Sequence, residues 1–274
     1  MIEESISKDS IKASDLINSD LFISFNGTQS KLSVRKKDGI LGNFQEWTFK
    51  ESENILDLLS LGNADLEICK SIHLLTHFDQ YTLIPAKFYD NSHNKDFLAQ
   101  LSVLDNTLPI RADFIELVNA FIVYQLSSNE LEFLKIWPKQ TKVHHHAAIF
   151  IQYQLERIRS NKPEVYIHFE ENNFNCIIFI DKQLVYSNNQ GFYSASDAIY
   201  FILAIFQQLQ LNTNEEPVII SGRIMPFSDL HNSILRFIKN VQWFTTTEFK
   251  SNIIEDSNFP HLFSDLIRLS ACEL

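Results

Sequence analysis

Three short strands joined by tight turns occur in each half of this sequence. The predicted strands of the first copy are 21–25, 31–35 and 40–49. Those of the second copy are 165–169, 175–180 and 183–186. Short apolar or alternating runs bounded by Asn, Asp and Gly are typical of strands and hairpin turns. The sequence therefore predicts an internally duplicated protein in which each copy begins with a three-stranded meander.

Each copy continues with alternating helices and strands. In the first copy we expect a helix over 51–62 and strands over 72–76 and 81–84. In the second copy we expect helices over 194–211, 229–238 and 260–271, with strands over 217–220 and 241–244. Ser194, followed by Asp197, is typical of a helix start. The repeated order is strand, strand, strand, helix, strand, helix.

The first copy also carries residues without counterparts in the second. We expect strands over 98–104, 108–116 and 120–126, and helices over 127–136 and 143–159. Ser127 and Glu130 form a capping-box pattern. The polar stretch 160–163 ends in a proline that is unfavourable within a helix, so it marks a boundary. The predicted organisation is a polar leader over 1–20, a first domain over 21–160 with a strand-rich insertion near 98–126, and a second domain over 161–274.

Composition narrows the classes of function. The net charge of −11 disfavours binding to nucleic acid. No apolar run approaches the ~20 residues that a membrane-spanning helix needs, and the start lacks a basic stretch followed by an apolar one, so we expect a cytoplasmic protein without membrane insertion. The three cysteines are too few and too scattered for a disulfide framework. The common motifs of serine hydrolases, zinc peptidases and P-loop or dinucleotide-binding proteins are missing from the sequence.

The order of elements resembles the actin-like ATPase fold of actin, Hsp70 chaperones and sugar kinases, a duplicated α/β fold of the ribonuclease H-like type with two mixed-sheet domains flanked by helices. Four segments are similar to a family of uncharacterised Bacteroidetes proteins assigned to that fold. These segments are Tyr81–Pro85, Val143–His145, Val218–Gly222, and the ending with His261, Phe263, Cys272 and Glu273. Within the superfamily, the type IV pilus and cell-division proteins are the nearer resemblance.

The resemblance implies a phosphate loop in the first turn of each meander, built from glycines and an acidic residue. The matching positions are Asn26, Gly27 and Thr28 in the first half, and Glu170, Glu171 and Asn172, with Asn173, in the second. The first turn has an amide where the family has a carboxylate. The second turn has two carboxylates and no glycine, and adjacent anions repel a triphosphate unless magnesium intervenes. Only six glycines occur in 274 residues, about 2% against a usual 7% or so.

The resemblance also implies an adenosine-contacting segment at Ser221, Gly222 and Arg223, where one glycine stands in place of the usual pair. We interpret Gly222 as permitting a turn at the end of a strand. Arg223 is either a solvated side chain or a partner for phosphate or carboxylate. The string His144–His146 lies at the start of a predicted helix, where three neighbours cannot all bind one metal ion, so packing or capping is expected there.

These observations favour a protein without catalytic residues, cofactor or metal, whose eroded phosphate loops make it a pseudo-ATPase. We expect it to act as an interaction or assembly module for another protein, with edge strands of the 98–126 insertion as a candidate contact. The alternative is a weak ATP-binding protein or ATPase that uses an interdomain cleft. There Glu170 or Glu171 would hold magnesium and Thr28 would contact a phosphate. An unrelated α/β enzyme with dispersed active-site residues is a third possibility.

Overall fold

The computed structural model describes residues 13–26, 29–36, 39, 41–48, 66–77, 80–101, 103–136, 141–245 and 260–272. The described chain divides into two compact units. The first unit holds the residues up to Tyr153 and those from Asp265 onward, and the second holds Gln154 to Thr245 and Pro260 to Ser264. The chain from Asp265 onward thus groups with the first unit, whereas the sequence placed all of 161–274 in one domain.

The strands of the described residues lie in three sheets. They are β1 (Asp20–Phe25), β2 (Gln29–Arg35), β3 (Leu41–Thr48), β4 (Ser71–Thr76), β5 (Tyr81–Pro85), β6 (Ile110–Ile115), β7 (Ala120–Gln125), β8 (Thr141–His145), β9 (Glu164–Phe169), β10 (Asn173–Ile180), β11 (Gln183–Gly191), β12 (Val218–Gly222) and β13 (Val241–Trp243).

The α-helices of the described residues are short or of medium length. They are α1 (Ala13–Leu16), α2 (Asn94–Ala99), α3 (Ser128–Ile136), α4 (His146–Arg157), α5 (Ala195–Gln208), α6 (Asp229–Phe237) and α7 (Ser264–Ala271). Single 3-10 turns cover Leu66–Ile68, Ala86–Phe88, Asn91–His93, Glu116–Val118 and Pro260–Phe263. No helix in the described ranges is both long and apolar enough to cross a membrane.

The main sheets of the two units have the same topology. The strand order is β3-β2-β1-β4-β8 in the first unit and β11-β10-β9-β12-β13 in the second. In each sheet the first three strands pair antiparallel, and the remaining two add in parallel. The duplicated meander predicted from the sequence is therefore confirmed. The predicted helix over 51–62 lies outside the described residues.

A third sheet, in the order β5-β7-β6, is inserted between β4 and β8 of the first unit. The strands predicted over 108–116 and 120–126 are confirmed as β6 and β7. The strand predicted over 98–104 is wrong, because α2 ends at Ala99 and a turn follows it. This helix buries Leu98 completely. A short apolar run has no periodicity that distinguishes a strand from a buried helical turn, which explains the error.

The helix predicted over 143–159 begins three residues later than expected. Val143 to His145 belong to β8, which pairs in parallel with β4, and α4 starts at His146. The interpretation of His144–His146 as a helix start is therefore wrong for His144 and His145. Parallel pairing with a buried strand outweighs the local helical pattern at this position.

The core of the second unit lies between its sheet and α5. Ser194 caps this helix by accepting a hydrogen bond from the Asp197 amide at 3.2 Å, as the sequence predicted. The buried positions of α5 recur every three or four residues, which is the spacing of one helical face. They are Ala198, Ile199, Ile202, Ile205 and Phe206. Packing of this face fixes the strands whose carboxyl ends carry the candidate site residues.

Candidate functional site

The first predicted phosphate loop follows β1 directly. Asn26 is half-buried, whereas Gly27 and Thr28 lie outside the described residues. The strands on either side of the loop pair Ser24 with Lys31, and both of these side chains are buried. The sheet thus places a hydroxyl group and an ammonium group on neighbouring strands beside the loop.

A carboxylate of α7 binds both of these groups. Ser24 Oγ donates to Asp265 Oδ2 at 2.7 Å, and Lys31 Nζ donates to the same oxygen at 3.3 Å. The Asp265 side chain is inaccessible to solvent, and that of Lys31 is nearly so. Asp265 Oδ1 accepts from the Leu266 amide at 2.9 Å. Buried opposite charges persist when they are paired and hydrogen-bonded, and this pair meets both conditions.

His77, the residue after β4, completes the group that we call the Asp265 cluster: Ser24, Lys31, His77 and Asp265. His77 Nε2 lies 2.7 Å from Ser24 Oγ and 3.7 Å from Asp265 Oδ2. Because Ser24 gives its single proton to Asp265, Nε2–H of His77 donates to Ser24 Oγ. In a Ser-His-Asp triad the imidazole instead accepts the serine proton. The Asp265 cluster therefore has the direction of hydrogen bonding opposite to that of an activated serine nucleophile.

The second predicted phosphate loop follows β9, where a buried histidine binds Glu170. His168 Nε2 lies 3.0 Å from Glu170 Oε1, and donates to it. His168 Nδ1 lies 3.1 Å from Ser221 Oγ and 3.3 Å from Ser264 Oγ. All four residues are buried. The carboxylate of Glu170 is thus hydrogen-bonded to His168, which lies two residues earlier at the end of β9.

The rest of the second loop is organised by backbone hydrogen bonds. The Glu170 amide donates to the Asn173 carbonyl at 2.8 Å, and the Phe192 amide donates to the Asn172 carbonyl at 2.8 Å. The Glu171 side chain is exposed. The loop is a tight connection between two antiparallel strands, and it closes without a glycine.

Gly222 is required by the close approach of β12 to β9. Its φ is +82°, and a Cβ atom at this position would lie 2.1 Å from the carbonyl oxygen of Phe169. The Arg223 amide donates to the same carbonyl at 2.7 Å. A positive φ and direct backbone contact are conditions that glycine meets without strain. The turn at the end of this strand agrees with our interpretation of Gly222 from the sequence.

The second unit brings its candidate residues to one place. Pairing of Ser221 with His168, and of Gly222 with Phe169, aligns the carboxyl ends of β12 and β9. Residues 170–172 and 221–223 therefore lie at the same edge of the sheet. Of the three candidates in the first unit, Asn26, Gly27 and Thr28, only Asn26 lies within the described residues.

A second polar network crosses β1, β4 and β8 in the first unit, and no motif in the sequence indicates it. Ser71 Oγ donates to Asp20 Oδ1 at 2.6 Å and lies 2.9 Å from His73 Nε2. His73 Nδ1 lies 3.4 Å from His144 Nε2. Arg35 Nη2 donates to Asp20 Oδ2 at 2.9 Å. These contacts connect Asp20 on β1 to His144 on β8, through Ser71 and His73 on β4.

Burial and hydrogen bonds together set the pKa values of the titratable groups in this network. Burial lowers the pKa of His73 to about 4, and the Lys142 cation contributes to the shift. Burial also lowers the pKa of His144 to about 3, with His73 as the next contribution. Burial of Asp20 opposes its ionisation, but hydrogen bonds from Ser71 and Arg35 hold its pKa below the usual value. Both histidines are therefore neutral at pH 7.

Solved structures similar to this chain share its fold. One is a Bacteroides thetaiotaomicron VPI-5482 protein with an actin-like ATPase fold and unknown function, with a TM-score of 0.79, 16% identity, and coverage of 97% of this chain and 100% of that one. Another is the PilM–PilN type IV pilus biogenesis complex, with a TM-score of 0.60, 9% identity, and coverage of 93% and 98%. The chain has the actin-like ATPase fold, as the sequence resemblance implied.

Comparison of sequences assigns the family. No curated protein matches the sequence significantly. Residues 15–241 match the family described as "Protein of unknown function (DUF3822)". The match spans most of both units, so the chain belongs to the DUF3822 family of proteins with an actin-like ATPase fold.

Proposed function

We propose that this protein is a non-catalytic member of the actin-like fold that acts as an interaction or assembly module for another protein. The observation that carries the proposal is the buried pair of Lys31 and Asp265, at 3.3 Å. Lys31 lies near the start of β2, the strand that leaves the first predicted phosphate loop, and a carboxylate of the same unit already neutralises it. Recruiting this lysine to a triphosphate would leave Asp265 as an uncompensated buried charge, which is costly.

The second predicted loop supports the same proposal. Magnesium is held in nucleotide sites by carboxylates and by the phosphates themselves, in an octahedron of oxygen ligands. Glu170 Oε1 accepts a hydrogen bond from His168, so one of the two carboxylate oxygens already has a partner within the protein. In the first unit the corresponding residue, Asn26, is an amide without charge.

Apolar side chains of the insertion offer a surface for a protein partner. In the structure the inserted region spans 81–125, because β5 belongs to its sheet, and its exposed large apolar side chains are Phe88, Leu101, Val103, Phe114 and Leu117. Phe114 packs against Phe121, with ring centroids 4.9 Å apart, and Phe121 stacks on Tyr89 at 3.7 Å. Exposed aromatic side chains on a rigid base are typical of interaction surfaces. PilM is found in a complex with a second protein, PilN, and we extend that kind of role to this chain by analogy of fold.

ATP hydrolysis by the purified protein and by Glu170→Ala tests the non-catalytic part of the proposal. Glu171→Ala is the matched control, because this neighbouring carboxylate is exposed. We expect no turnover above the buffer blank for any of the three proteins. Turnover by the unmodified protein that disappears in Glu170→Ala and persists in Glu171→Ala would contradict the proposal.

The interaction part is tested with a variant of the insertion. Phe88→Ser combined with Val103→Ser removes two exposed side chains without opening a core. Tyr200→Ser is the control, since it removes an exposed aromatic group from the second unit. Proteins captured from a lysate by the unmodified chain should be retained by the control and lost by the double variant. Equal retention by both variants would exclude the insertion as the contact surface.

A further inference from the structure

The Asp265 cluster has the composition of an anion-binding site. Three groups converge on one oxygen of Asp265: the hydroxyl of Ser24 at 2.7 Å, the ammonium of Lys31 at 3.3 Å and the imidazole of His77 at 3.7 Å. The side chains of Lys31 and His77 are 4% and 5% exposed. A positive charge and hydrogen-bond donors gathered in a buried place bind carboxylates strongly.

The donors and the anion come from different parts of the first unit. Ser24 and Lys31 face each other on adjacent strands of one sheet, and His77 follows the strand that pairs with β1 on the other side. Asp265 is 241 residues from Ser24 in sequence and lies in the first turn of α7. Sheet hydrogen bonds therefore position Ser24 and Lys31, whereas the Asp265 carboxylate is positioned by the packing of α7.

Polar contacts also hold the rest of this helix. Arg35 Nη1 donates to the Ser270 carbonyl at 2.9 Å, and the Arg268 guanidinium lies 3.8 Å from the ring centroid of Phe150. Both Arg268 and Ser270 are buried. The docking of α7 thus depends on matched polar groups along its length, and Asp265 supplies the anion at one end.

We infer that the first unit contains a carboxylate-binding site, built by Ser24, Lys31 and His77, which the C-terminal helix fills in cis with the side chain of Asp265. Any small carboxylate that reaches the Ser24 hydroxyl and the Lys31 ammonium competes with this side chain, and replaces it when the side chain is shortened. The imidazole of His77 donates to Ser24 Oγ and so orients that hydroxyl. Ser24, Lys31, His77 and Asp265 all belong to the first unit. This inference goes beyond the proposed function, and its test measures anion binding without ATP, so that either can fail separately.

The test is rescue of Asp265→Ala by acetate, the fragment that the substitution removes. Thermal unfolding is followed in about 100 mM sodium acetate and in sodium chloride of equal ionic strength. We expect the melting temperature of Asp265→Ala to rise by roughly 3–5 °C in acetate relative to chloride, and that of the unmodified protein to change by less than about 1 °C. An equal effect of acetate and chloride on Asp265→Ala would overturn the inference.

Two controls isolate the site. Asp229→Ala removes an exposed aspartate from the first turn of α6, so it reports any general effect of acetate on a helix start. Lys31→Met combined with Asp265→Ala removes the cation and should abolish the rescue. Rescue that survives without Lys31, or that also appears in Asp229→Ala, would show that acetate acts elsewhere.

A third anion distinguishes carboxylate recognition from general anion binding. Inorganic phosphate at equal ionic strength should rescue Asp265→Ala less than acetate does, because the site is shaped around one carboxylate oxygen. A larger effect of phosphate would contradict the assignment to carboxylates. If Asp265→Ala is insoluble, it is refolded from urea in each salt. Recovery in acetate that exceeds recovery in chloride supports the inference, and equal recovery overturns it.

Discussion

Asn26 and Glu170 occupy equivalent positions in the two sheets, each directly after the phenylalanine that ends the first strand of its unit. The equivalence follows from pairing, since Phe25 pairs with Thr76 in β4, and Phe169 pairs with Gly222 in β12. One copy thus has a neutral amide where the other has a carboxylate bound to a histidine. The amide of Asn26 carries no charge, and one carboxylate oxygen of Glu170 accepts a hydrogen bond from His168.

Substitution of Gly222 by alanine should destabilise the second unit by more than the cost of its positive φ alone. Gly39 is a matched control, because its φ is +81° and the space around its Cβ position is open. Gly39→Ala should cost about 1–2 kcal/mol. Gly222→Ala should cost at least about 2 kcal/mol more, since the new Cβ meets the Phe169 carbonyl. Urea unfolding measures both. Equal costs would show that the strands separate easily at this point.

The stability of the first unit should decrease as the pH falls below about 6.5. His73 has a folded-state pKa of about 4, below its unfolded value, so the unfolded chain binds the proton more readily. The stabilisation is complete above pH 6.5 and is lost as the pH falls toward 4. A shift of this size corresponds to up to about 3 kcal/mol. Urea midpoints at pH 7, 6, 5 and 4.5 measure the loss.

Removal of the histidine should flatten this pH dependence. His73→Asn is expected to be less stable at pH 7, because the contacts of the ring with Ser71 and Phe22 are lost. Its midpoint should then vary less between pH 7 and 4.5. His93→Asn, at an exposed position, serves as the control and should keep the original slope. An unchanged slope in His73→Asn would place the acid sensitivity elsewhere.

Glu170 should have a structural effect that does not depend on magnesium. Glu170→Ala leaves the buried His168 without this acceptor, which should cost about 1–3 kcal/mol. Glu171→Ala should change the stability by less than about 0.5 kcal/mol, as is usual at exposed positions. Both values should be the same in millimolar magnesium and in a chelator. A cost for Glu170→Ala that appears only with magnesium would identify Glu170 as a metal ligand.

The strands of the fold could be predicted from the sequence because hairpin turns and apolar runs are local signals. The strand predicted over 98–104 and the helix start predicted at His144 and His145 are wrong, since short apolar or mixed segments take their structure from the strand or helix that they pack against. The Asp265 cluster could not be predicted from local sequence patterns. Its serine and its carboxylate are 241 residues apart, and neither lies in a recognisable motif. By contrast, Glu170 was found because it directly follows a predicted strand.

Thermal unfolding with and without millimolar ATP and magnesium tests most directly whether this actin-like chain has lost nucleotide binding. A ligand at 100 times its dissociation constant stabilises the folded state by about 2.7 kcal/mol, which the melting temperature would readily show. We predict no shift beyond that caused by an equal concentration of salt. A magnesium-dependent rise that Glu170→Ala abolishes and Glu171→Ala preserves would contradict the proposal and establish a nucleotide site.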